Sequence, residues 1–480
     1  MKILLIAPKT NRKSFLFSPP INLCYLKSYL KRYGNYNQIK VINESAIEYD
    51  TLEAVKEFAP DIIGTTCLTD TRHNCFSVLQ NARKVMPKAK TIVGGTHGTL
   101  MYEQILDNYH FIDFVCVGEG EQTFLEFVQA VETGGEYKDI KGLVFRESGK
   151  VNFTGKREFI KNVDIIPLPD YDDIDLKQYK GSQLYDWERN KPRASILSSR
   201  GCPFSCIFCG SREAFPGWRA RSAGSVVEEF QWYADKFDFE CFSIVDDLFT
   251  LDEKRAIDIC NGLIRKRLNI KWFAQTRADA LTKNIVLALK DAGCQLLQIG
   301  AESGSPKILK IINKRETLET IENAFAICNK VGLKTQMNLI IGSPEEDQKT
   351  IRETAQLIKK YKPFISQFSP LQIFPKTRLF EDYMIRNNVT DDLWLSEAEG
   401  FKYNYLNDKD INRFIRKLEI VDFRTRGIYG YIKMFNKYGN EYRVRVLDYL
   451  ASKPFLKNTY SYFKPFVKRA SIKNRIVNGS

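Results

Sequence analysis

Residues 198–215 read SSRGCPFSCIFCGSREAF and hold three of the eleven cysteines of the chain. Cys202, Cys206 and Cys209 are separated by three and then two residues, whereas the other eight cysteines stand alone. Three thiolates at this spacing can hold three corners of a cubane iron–sulfur cluster. Electron-transfer clusters and structural zinc sites use four ligands. Three cysteines without a fourth therefore predict a metal centre with one open position, which is typical of catalytic sites.

Two other interpretations of these cysteines are open from the sequence alone. The three histidines, His73, His97 and His110, all lie in the N-terminal third of the chain, so no histidine is near the cysteines in sequence. A zinc ion could instead take Cys241 as its fourth ligand. The three thiols could also be unrelated buried side chains.

The composition indicates a soluble globular protein of two or three domains. The 480 residues are 44% hydrophobic and 27% charged, and no run of ~18 apolar residues or secretory signal is visible. We expect a cytoplasmic chain with reduced thiols, which favours a metal site over disulfides. Residues 411–480 carry 16 Lys and Arg against four acidic residues, which gives +12 of the net charge of +14.

Two series of alternating strands and helices predict an α/β fold. Residues 1–134 predict a Rossmann-like open parallel sheet, and residues 135–190 resemble a linker. Residues 191–384 predict six βα units, too few for a closed eight-unit barrel, so an open partial barrel is expected. Residues 385–480 predict a mostly helical, basic C-terminal domain. In both series ligands should bind beyond the carboxyl ends of the strands.

The segment CPFSCIFC resembles the C-x3-C-x2-C signature of the radical S-adenosylmethionine (SAM) superfamily, which follows the first barrel strand. The resemblance implies that Cys202, Cys206 and Cys209 ligate a [4Fe–4S] cluster. In that family the open iron binds the amino and carboxylate groups of SAM. Electron transfer from the cluster then cleaves SAM to a 5′-deoxyadenosyl radical, which abstracts hydrogen from a substrate. An external flavodoxin- or ferredoxin-type electron donor is implied.

Other barrel segments resemble motifs of the same superfamily in the same order. QIGAESGS resembles the fourth-strand motif, which implies that Glu302 and Ser303 face SAM. NLIIGSPEED resembles the fifth-strand glycine motif, which places Gly342 beside the adenine. Phe208 stands where the family often packs an aromatic ring near the adenine.

IVDDLFT and WFAQTRAD resemble the second and third strand ends of one large subgroup. The resemblance implies that Asp246, Asp247 and Arg277 line the pocket as candidate catalytic residues. The Gly-Gly-Glu common on the second strand, which contacts the amino group of SAM, is replaced here by the two aspartates.

The segments SPPINLCYLKSYL, TIVGGTHGTL and FVCVGEGEQTFLEF resemble the N-terminal domain of cobalamin-binding radical SAM proteins. The whole resemblance covers about residues 1–385 and implies a corrin between that domain and the barrel. The lower-ligand motif Asp-x-His-x-x-Gly is absent, since residues 69–74 read TDTRHN. The alternative is a relic domain without cobalamin. The implied corrin contacts are Thr66, Thr69, Gly94, Gly95, His97, Gly118, Glu119, Gly120 and Glu121.

Residues 453–476, KPFLKNTYSYFKPFVKRASIKNRI, interleave basic and aromatic residues. Such a segment suits anionic lipid headgroups, nucleic acid or a helical cap with solvated lysines. The membrane interpretation implies peripheral contact at the inner membrane face and a lipid or isoprenoid-like substrate. Nucleic acid is the less favoured partner.

The function expected from the resemblance is methylation of an unactivated carbon in a small molecule. Methylcobalamin would supply the methyl group to a substrate radical, and a second SAM would remethylate the cofactor. The alternatives are cobalamin-assisted ring closure, ring contraction or oxidation without methyl transfer. A factor for nucleic-acid modification, recruited by the basic segment, is an alternative of a different class.

Overall fold

The structure is a computed structural model that describes residues 1–10, 19–46, 50–181, 187–396 and 405–438, with side chains up to residue 425. The basic aromatic segment 453–476 lies outside the described residues. In the part of the chain that is described, no helix is both long and apolar enough to span a membrane.

The N-terminal part forms a seven-stranded sheet in the order β2-β1-β3-β4-β5-β6-β7. The strands are β1 (Ile3–Ala7), β2 (Ile39–Asn43), β3 (Ile62–Thr66), β4 (Lys90–Gly94), β5 (Phe114–Cys116), β6 (Leu143–Glu147) and β7 (Lys150–Phe153). The helices are α1 (Ile21–Gly34), α2 (Thr51–Phe58), α3 (Arg72–Val85), α4 (Gly95–Leu100), α5 (Tyr102–Asn108) and α6 (Gly120–Thr133). β1 to β5 are parallel, whereas β6 and β7 are antiparallel.

Helices cover both faces of this sheet, and the hydrophobic sequence of its strands explains why. Every residue of β1, ILLIA, is buried, as expected for a parallel strand covered on both sides. The strand order reverses direction at β1, because β2 and β3 lie on opposite sides of it. Such a reversal opens a crevice at the carboxyl ends of the strands, where doubly wound sheets bind ligands.

Two features of this sheet were not predicted from the sequence. β2, IKVIN, is a short strand in which Lys40 is only partly buried. β6 and β7 lie within residues 135–190, which resembled a linker, and form a hairpin that extends the sheet. β7 is the edge strand and is only partly buried, so its hydrophobic pattern is weak.

The second sheet has six parallel strands in the order β8-β11-β12-β13-β14-β15, and a separate pair joins β9 to β10. The strands are β8 (Arg193–Ile196), β9 (Ser199–Arg200), β10 (Arg219–Ala220), β11 (Cys241–Ile244), β12 (Lys271–Thr276), β13 (Cys294–Glu302), β14 (Thr335–Ile341) and β15 (Ile365–Pro370). The first and last strands of the six do not pair, which confirms the predicted open partial barrel.

Helices on one side of this sheet make up its outer layer. They are α8 (Ala223–Phe237), α9 (Glu253–Arg265), α10 (Lys283–Asp291), α11 (Pro306–Ile311), α12 (Leu318–Val331), α13 (Gln348–Tyr361) and α15 (Asp408–Tyr438). Two other helices, α7 (Gly210–Ala214) and α14 (Arg378–Asn387), bury side chains in the core of the first sheet instead. Four 3₁₀ helices complete the described secondary structure: Val163–Ile165, Leu176–Gln178, Ala278–Ala280 and Asp391–Leu395.

The two faces of the second sheet bury different residues. Trp272, Leu297 and Met337 belong to the main core, which includes side chains of the outer helices. Phe273 and Leu296 face the other way and join Ile365 in a small inner cluster. Trp187 and Phe364 pack against that cluster, which closes the barrel toward the amino ends of its strands.

After β15 the chain returns to the first sheet. Leu371, Ile373, Phe380 and Trp394 are fully buried in one hydrophobic core with Leu4 and other residues of β1, β3 and β4. α15 then packs against α13, β14 and β15. The two sheets are therefore joined by a shared core as well as by the chain itself.

Candidate active site between the two sheets

The three clustered cysteines lie in the loop that leaves the carboxyl end of β8. They are only partly buried, whereas the other eight cysteines are fully buried. Burial still raises the pKa of all three thiols, to about 11 for Cys209. These three are therefore the cysteines of the chain that an external group can reach.

Cys241 is excluded as a fourth ligand by its position in the sheet. It begins β11 and stands opposite Arg193 and Lys271, which begin β8 and β12. It therefore lies at the amino edge of the sheet, whereas the cysteine loop leaves the carboxyl edge. Its Sγ donates a hydrogen bond to the carbonyl oxygen of Trp187 at 3.3 Å.

Two cations stand beside the cysteine loop. The Arg277 guanidinium lies 3.7 Å from the ring centroid of Phe204, which is between the first two cysteines. Lys314 is 3.2 Å from Glu302 and 3.3 Å from Glu316. Burial raises the pKa of the Cys206 thiol, and Lys314 and Arg277 oppose that rise. The electric field of both cations thus favours thiolates and an anionic cluster at this loop.

The two aspartates after β11 have different environments. Asp246 is completely buried and accepts hydrogen bonds from the Ser198 nitrogen at 2.6 Å, from Ser198 Oγ at 2.5 Å and from Ser199 Oγ at 2.6 Å. Asp247 is exposed and accepts one from Ser211 Oγ at 2.9 Å. Asp246 thus fixes the backbone that leads into the cysteine loop and does not line the pocket, contrary to the expectation from the sequence.

Glu302 and Ser303 follow an irregularity at the end of β13. The register between β13 and β14 shifts at Glu302, which has a φ of +61°, a conformation that is rare for residues other than glycine. This backbone turns the Glu302 side chain toward Lys314. Ser303 is buried and accepts a hydrogen bond from the Ser305 nitrogen at 3.1 Å, so it stabilises the loop that follows β13.

Gly342 directly follows β14 and has a backbone conformation that favours glycine. Its φ is +106°, and a Cβ at this position would lie 3.0 Å from Ile411 of α15. Its nitrogen donates to Glu346 Oε2 at 2.5 Å. Glu346 is 5% exposed, and burial raises the pKa of its carboxyl to about 7.

Replacing Glu346 with Gln should change the pH dependence of stability. The folded carboxyl keeps its proton to higher pH than the unfolded one, so its contribution to stability is complete below about pH 4.5 and declines through pH 7. We expect the free energy of unfolding of the variant to be higher than that of the wild type by about 3 kcal/mol at pH 8 and by less than about 1 kcal/mol at pH 5. Urea unfolding at both pH values measures this, with the exposed Glu345→Gln as control. Parallel pH profiles for wild type and Glu346→Gln would contradict it.

A cavity of about 360 Å³ lies between the carboxyl edge of the first sheet and the loops of the barrel. Seven of the nine predicted corrin contacts line it: Thr66, Gly94, Gly95, Gly118, Glu119, Gly120 and Glu121. The barrel contributes several lining residues: Leu197, Ser199, Arg200, Gly201, Ser211, Phe215, Val245 and Asp247. The cavity therefore opens between both sheets, next to the cysteine loop.

Glycine lets the backbone form one wall of this cavity. Gly95 has a φ of +88°, and a Cβ there would lie 2.7 Å from the carbonyl oxygen of Cys67. Gly94 differs, because a Cβ at that position would contact only Cys116, at 4.0 Å. A ligand can thus approach the main chain at both glycines, but only Gly94 has room for a side chain.

The other two predicted contacts, Thr69 and His97, do not line the cavity. His97 is 1% exposed, and its Nδ1 lies 3.3 Å from Thr69 Oγ1. Its ring packs near Trp394, with 6.4 Å between the ring centroids. Burial lowers the pKa of His97 to about 3, so the ring is neutral. Both residues belong to the packing between the first sheet and the segment after the barrel.

Arg200 is a site residue that sequence reasoning missed. Its guanidinium lies 3.1 Å from Glu119 and 2.7 Å from Glu121, and Arg219 lies 2.8 Å from Glu119. Burial alone would raise the pKa of Glu119, but Arg200 and Arg219 hold it below its ordinary value. This ion-pair cluster links the barrel to the first sheet at the edge of the cavity.

Phe208 lies away from the cavity and packs against the core shared by the two halves of the chain. It is partly buried, as are its neighbours Ile207 and Phe215. An aromatic contact with adenine at this position stays a prediction.

Comparison with known proteins identifies the family. Residues 11–128 match the B12 binding domain, and residues 196–358 match the Radical SAM superfamily. An uncharacterized methyltransferase of Pyrococcus horikoshii is 33% identical over 429 residues, which are 88% of this chain and 92% of the relative. This chain is a cobalamin-binding radical SAM enzyme. Its cofactors are a [4Fe–4S] cluster, SAM and cobalamin, as predicted.

Two further proteins are similar to this radical SAM enzyme in sequence or in fold. An anaerobic magnesium-protoporphyrin IX monomethyl ester cyclase of Rubrivivax gelatinosus is 30% identical over 382 residues, covering 78% of this chain and 68% of the cyclase. The solved structure of the cobalamin-dependent SAM radical enzyme OxsB, with aqua-cobalamin and SAM bound, has a TM-score of 0.73 at 16% identity. The match covers 100% of this chain and 81% of OxsB, and it shows the shared fold.

The residues of this radical SAM enzyme fit its cofactors. No three His, Cys, Asp or Glu side chains surround a single ion within the described ranges. A cubane cluster does not need that arrangement, because each thiolate binds a different iron. The three accessible thiols beside Arg277 and Lys314 suit an anionic cluster, and the glycine-walled cavity suits a flat ligand.

Proposed function

We propose that this enzyme methylates an unactivated carbon of a small molecule. The observation that carries the proposal is the cavity shared by the two sheets. Ser211 and Asp247, next to the cysteine loop, line the same space as Gly94 and Gly118 of the first sheet. A substrate at this junction would contact groups bound at both sheets. The methyltransferase of Pyrococcus horikoshii supports the same reaction class.

The proposed roles of the residues follow from their positions. Cys202, Cys206 and Cys209 would ligate the cluster, because these are the accessible thiols. Glu302 and the backbone at Gly342 would hold SAM at the carboxyl ends of β13 and β14. When bound, the cluster and SAM supply the radical and cobalamin carries the methyl group.

Asp247 is the proposed catalytic residue, since it is exposed at the shared wall of the cavity. Its carboxylate accepts a hydrogen bond from Ser211 Oγ at 2.9 Å, which fixes its direction. Arg277 is instead a positioning residue, because its guanidinium is held by Asp279 at 2.8 Å and stacks on Phe204. It would fix the cysteine loop and contribute positive charge to it.

Cobalamin-assisted ring closure is a second candidate reaction, favoured by the similarity to the cyclase of Rubrivivax gelatinosus. The products separate the two reactions. A methylase that uses two molecules of SAM should form S-adenosylhomocysteine and 5′-deoxyadenosine, and a non-methylating enzyme should form only 5′-deoxyadenosine.

The experiment is to reconstitute the full chain anaerobically with iron, sulfide and cobalamin, and to add SAM and a reductant. Both products are then counted by liquid chromatography and mass spectrometry. We expect both in comparable amounts when a substrate is present. 5′-Deoxyadenosine without any S-adenosylhomocysteine would contradict the methylation proposal and favour the second candidate.

Other features stay predictions from the sequence. They include a flavodoxin- or ferredoxin-type donor, a cytoplasmic location with peripheral membrane contact, and the domain boundaries near residues 134, 190 and 384. The segment 453–476, on which the membrane and nucleic-acid interpretations depend, lies outside the described residues. Binding that weakens steeply with salt would favour nucleic acid.

A further inference from the structure

A row of carboxamide side chains crosses the inner face of the partial barrel. Gln275, Gln298 and Gln336 stand opposite one another in the register of β12, β13 and β14, and we call them the carboxamide row. Two residues farther along β14, Asn338 stands opposite Gln367 of β15. Five neutral amides are thus placed together on four neighbouring strands.

The direction of these side chains follows from the alternation along each strand. Phe273 and Leu296 belong to the inner hydrophobic cluster, and each lies two residues before a member of the carboxamide row. Gln336 stands opposite Ile365, another member of that cluster. The carboxamide row therefore lies on the inner face, directly above the apolar layer that closes the barrel.

The carboxamide row is only partly buried, since Gln275 is half-buried, and it is incompletely hydrogen-bonded. Gln298 is 9% exposed, and within the described ranges the side chains of Gln275 and Gln298 make no hydrogen bond. Gln336 Nε2 donates to Asn338 Oδ1 at 2.8 Å. The amide atoms of Gln275 and Gln298 are not fully buried, so a bound molecule can reach them. The row is therefore suited to an occupant that can form hydrogen bonds.

Two charged side chains at the ends of the strands that carry the carboxamide row are already paired. Arg277, two residues beyond Gln275, is held by Asp279 at 2.8 Å. Glu302, four residues beyond Gln298, is 3.2 Å from Lys314. An anionic or cationic substrate would have to break one of these pairs to find a counter-ion at this depth.

We propose that the carboxamide row binds the substrate through neutral amide or lactam groups. A carboxamide presents a donor and an acceptor side by side, so it pairs with an amide edge of the same kind. Neighbouring strands lie about 4.8 Å apart, so two adjacent carboxamides are spaced to reach one small ring that carries two amide groups. A hydrocarbon would leave the side-chain amides of Gln275 and Gln298 without a hydrogen-bond partner, which opposes the lipid-like substrate considered from the sequence.

This inference rests on the proposed function only in treating the bound molecule as the methyl acceptor. The test needs no turnover. The probe is cyclo-glycylglycine, a neutral bis-lactam, added to the reconstituted full chain with SAM and followed by saturation-transfer NMR. We expect binding in the millimolar range, weakened at least tenfold by Gln298→Leu and by Gln275→Leu. Gln356→Leu, on the exposed side of α13, is the matched control and should bind as wild type does.

Several results would overturn the inference. They are absence of bis-lactam binding, unchanged binding in both row variants, and stronger binding of farnesol or glutarate than of the bis-lactam. A loss of SAM affinity in Gln298→Leu would assign the row to SAM instead. Failure of the methylation proposal is distinct, because it removes S-adenosylhomocysteine while binding of the bis-lactam persists.

Discussion

Replacing Cys206 with alanine should reduce the iron content of the reconstituted chain from about four atoms to nearly none and abolish SAM cleavage. The physical reason is the small number of ligands. Each of the three partly buried thiols would hold a different iron, and no other cysteine is accessible. Iron and sulfide assays, the visible absorbance and the yield of 5′-deoxyadenosine measure the effect.

The matched control for this variant is Cys241→Ala. Cys241 is the cysteine that the zinc interpretation would have required, but it lies at the opposite edge of the sheet, bonded to the Trp187 carbonyl. This variant should keep its iron and its cleavage activity. Full iron in Cys206→Ala, or loss of iron in Cys241→Ala, would show that the cluster is held differently.

Replacing Gly94 with valine should remove bound cobalamin and leave the iron content unchanged. Gly94 lines the cavity in an ordinary extended conformation, with a φ of −124°. A Cβ there would contact only Cys116, at 4.0 Å, so the side chain can fill cavity space without disturbing the fold. Cobalamin is counted by its visible spectrum after anaerobic reconstitution, and iron is assayed in the same sample.

The control is Gly224→Val in the first turn of α8, where a Cβ would have no neighbour within 4 Å. It should retain both cofactors. We expect Gly94→Val to lose S-adenosylhomocysteine formation together with its cobalamin. Retention of stoichiometric cobalamin in Gly94→Val would place the corrin elsewhere, and loss of iron as well would indicate misfolding.

The parts of the site that depend on local sequence were predictable. The cysteine spacing and the glycines at the ends of β4 and β14 are set by a few adjacent residues. The backbone conformations of Gly95 and Gly342 have values that favour glycine. The six strands of the barrel were likewise visible, because each is a short apolar run followed by a polar strand end.

The residues that were misplaced or missed depend on distant parts of the chain. His97 follows a glycine motif, yet it is buried because Trp394 packs beside it from far along the sequence. Asp246 is buried because Ser198 and Ser199 surround its carboxyl. Arg200 was not predicted because its carboxylate partners lie about eighty residues earlier. No local pattern encodes such pairings.

The core shared between the first sheet and residues 371–396 has a consequence for biosynthesis. Leu371, Ile373 and Trp394 cover part of one face of that sheet, beside α2, α3 and α5, but about 240 residues separate them from the end of α6. At ordinary translation speeds the ribosome needs on the order of 10–50 s to make that stretch. During this interval the part of the sheet that residues 371–396 will cover stays exposed, so a nascent chain of this length carries an apolar patch of the kind that chaperones bind.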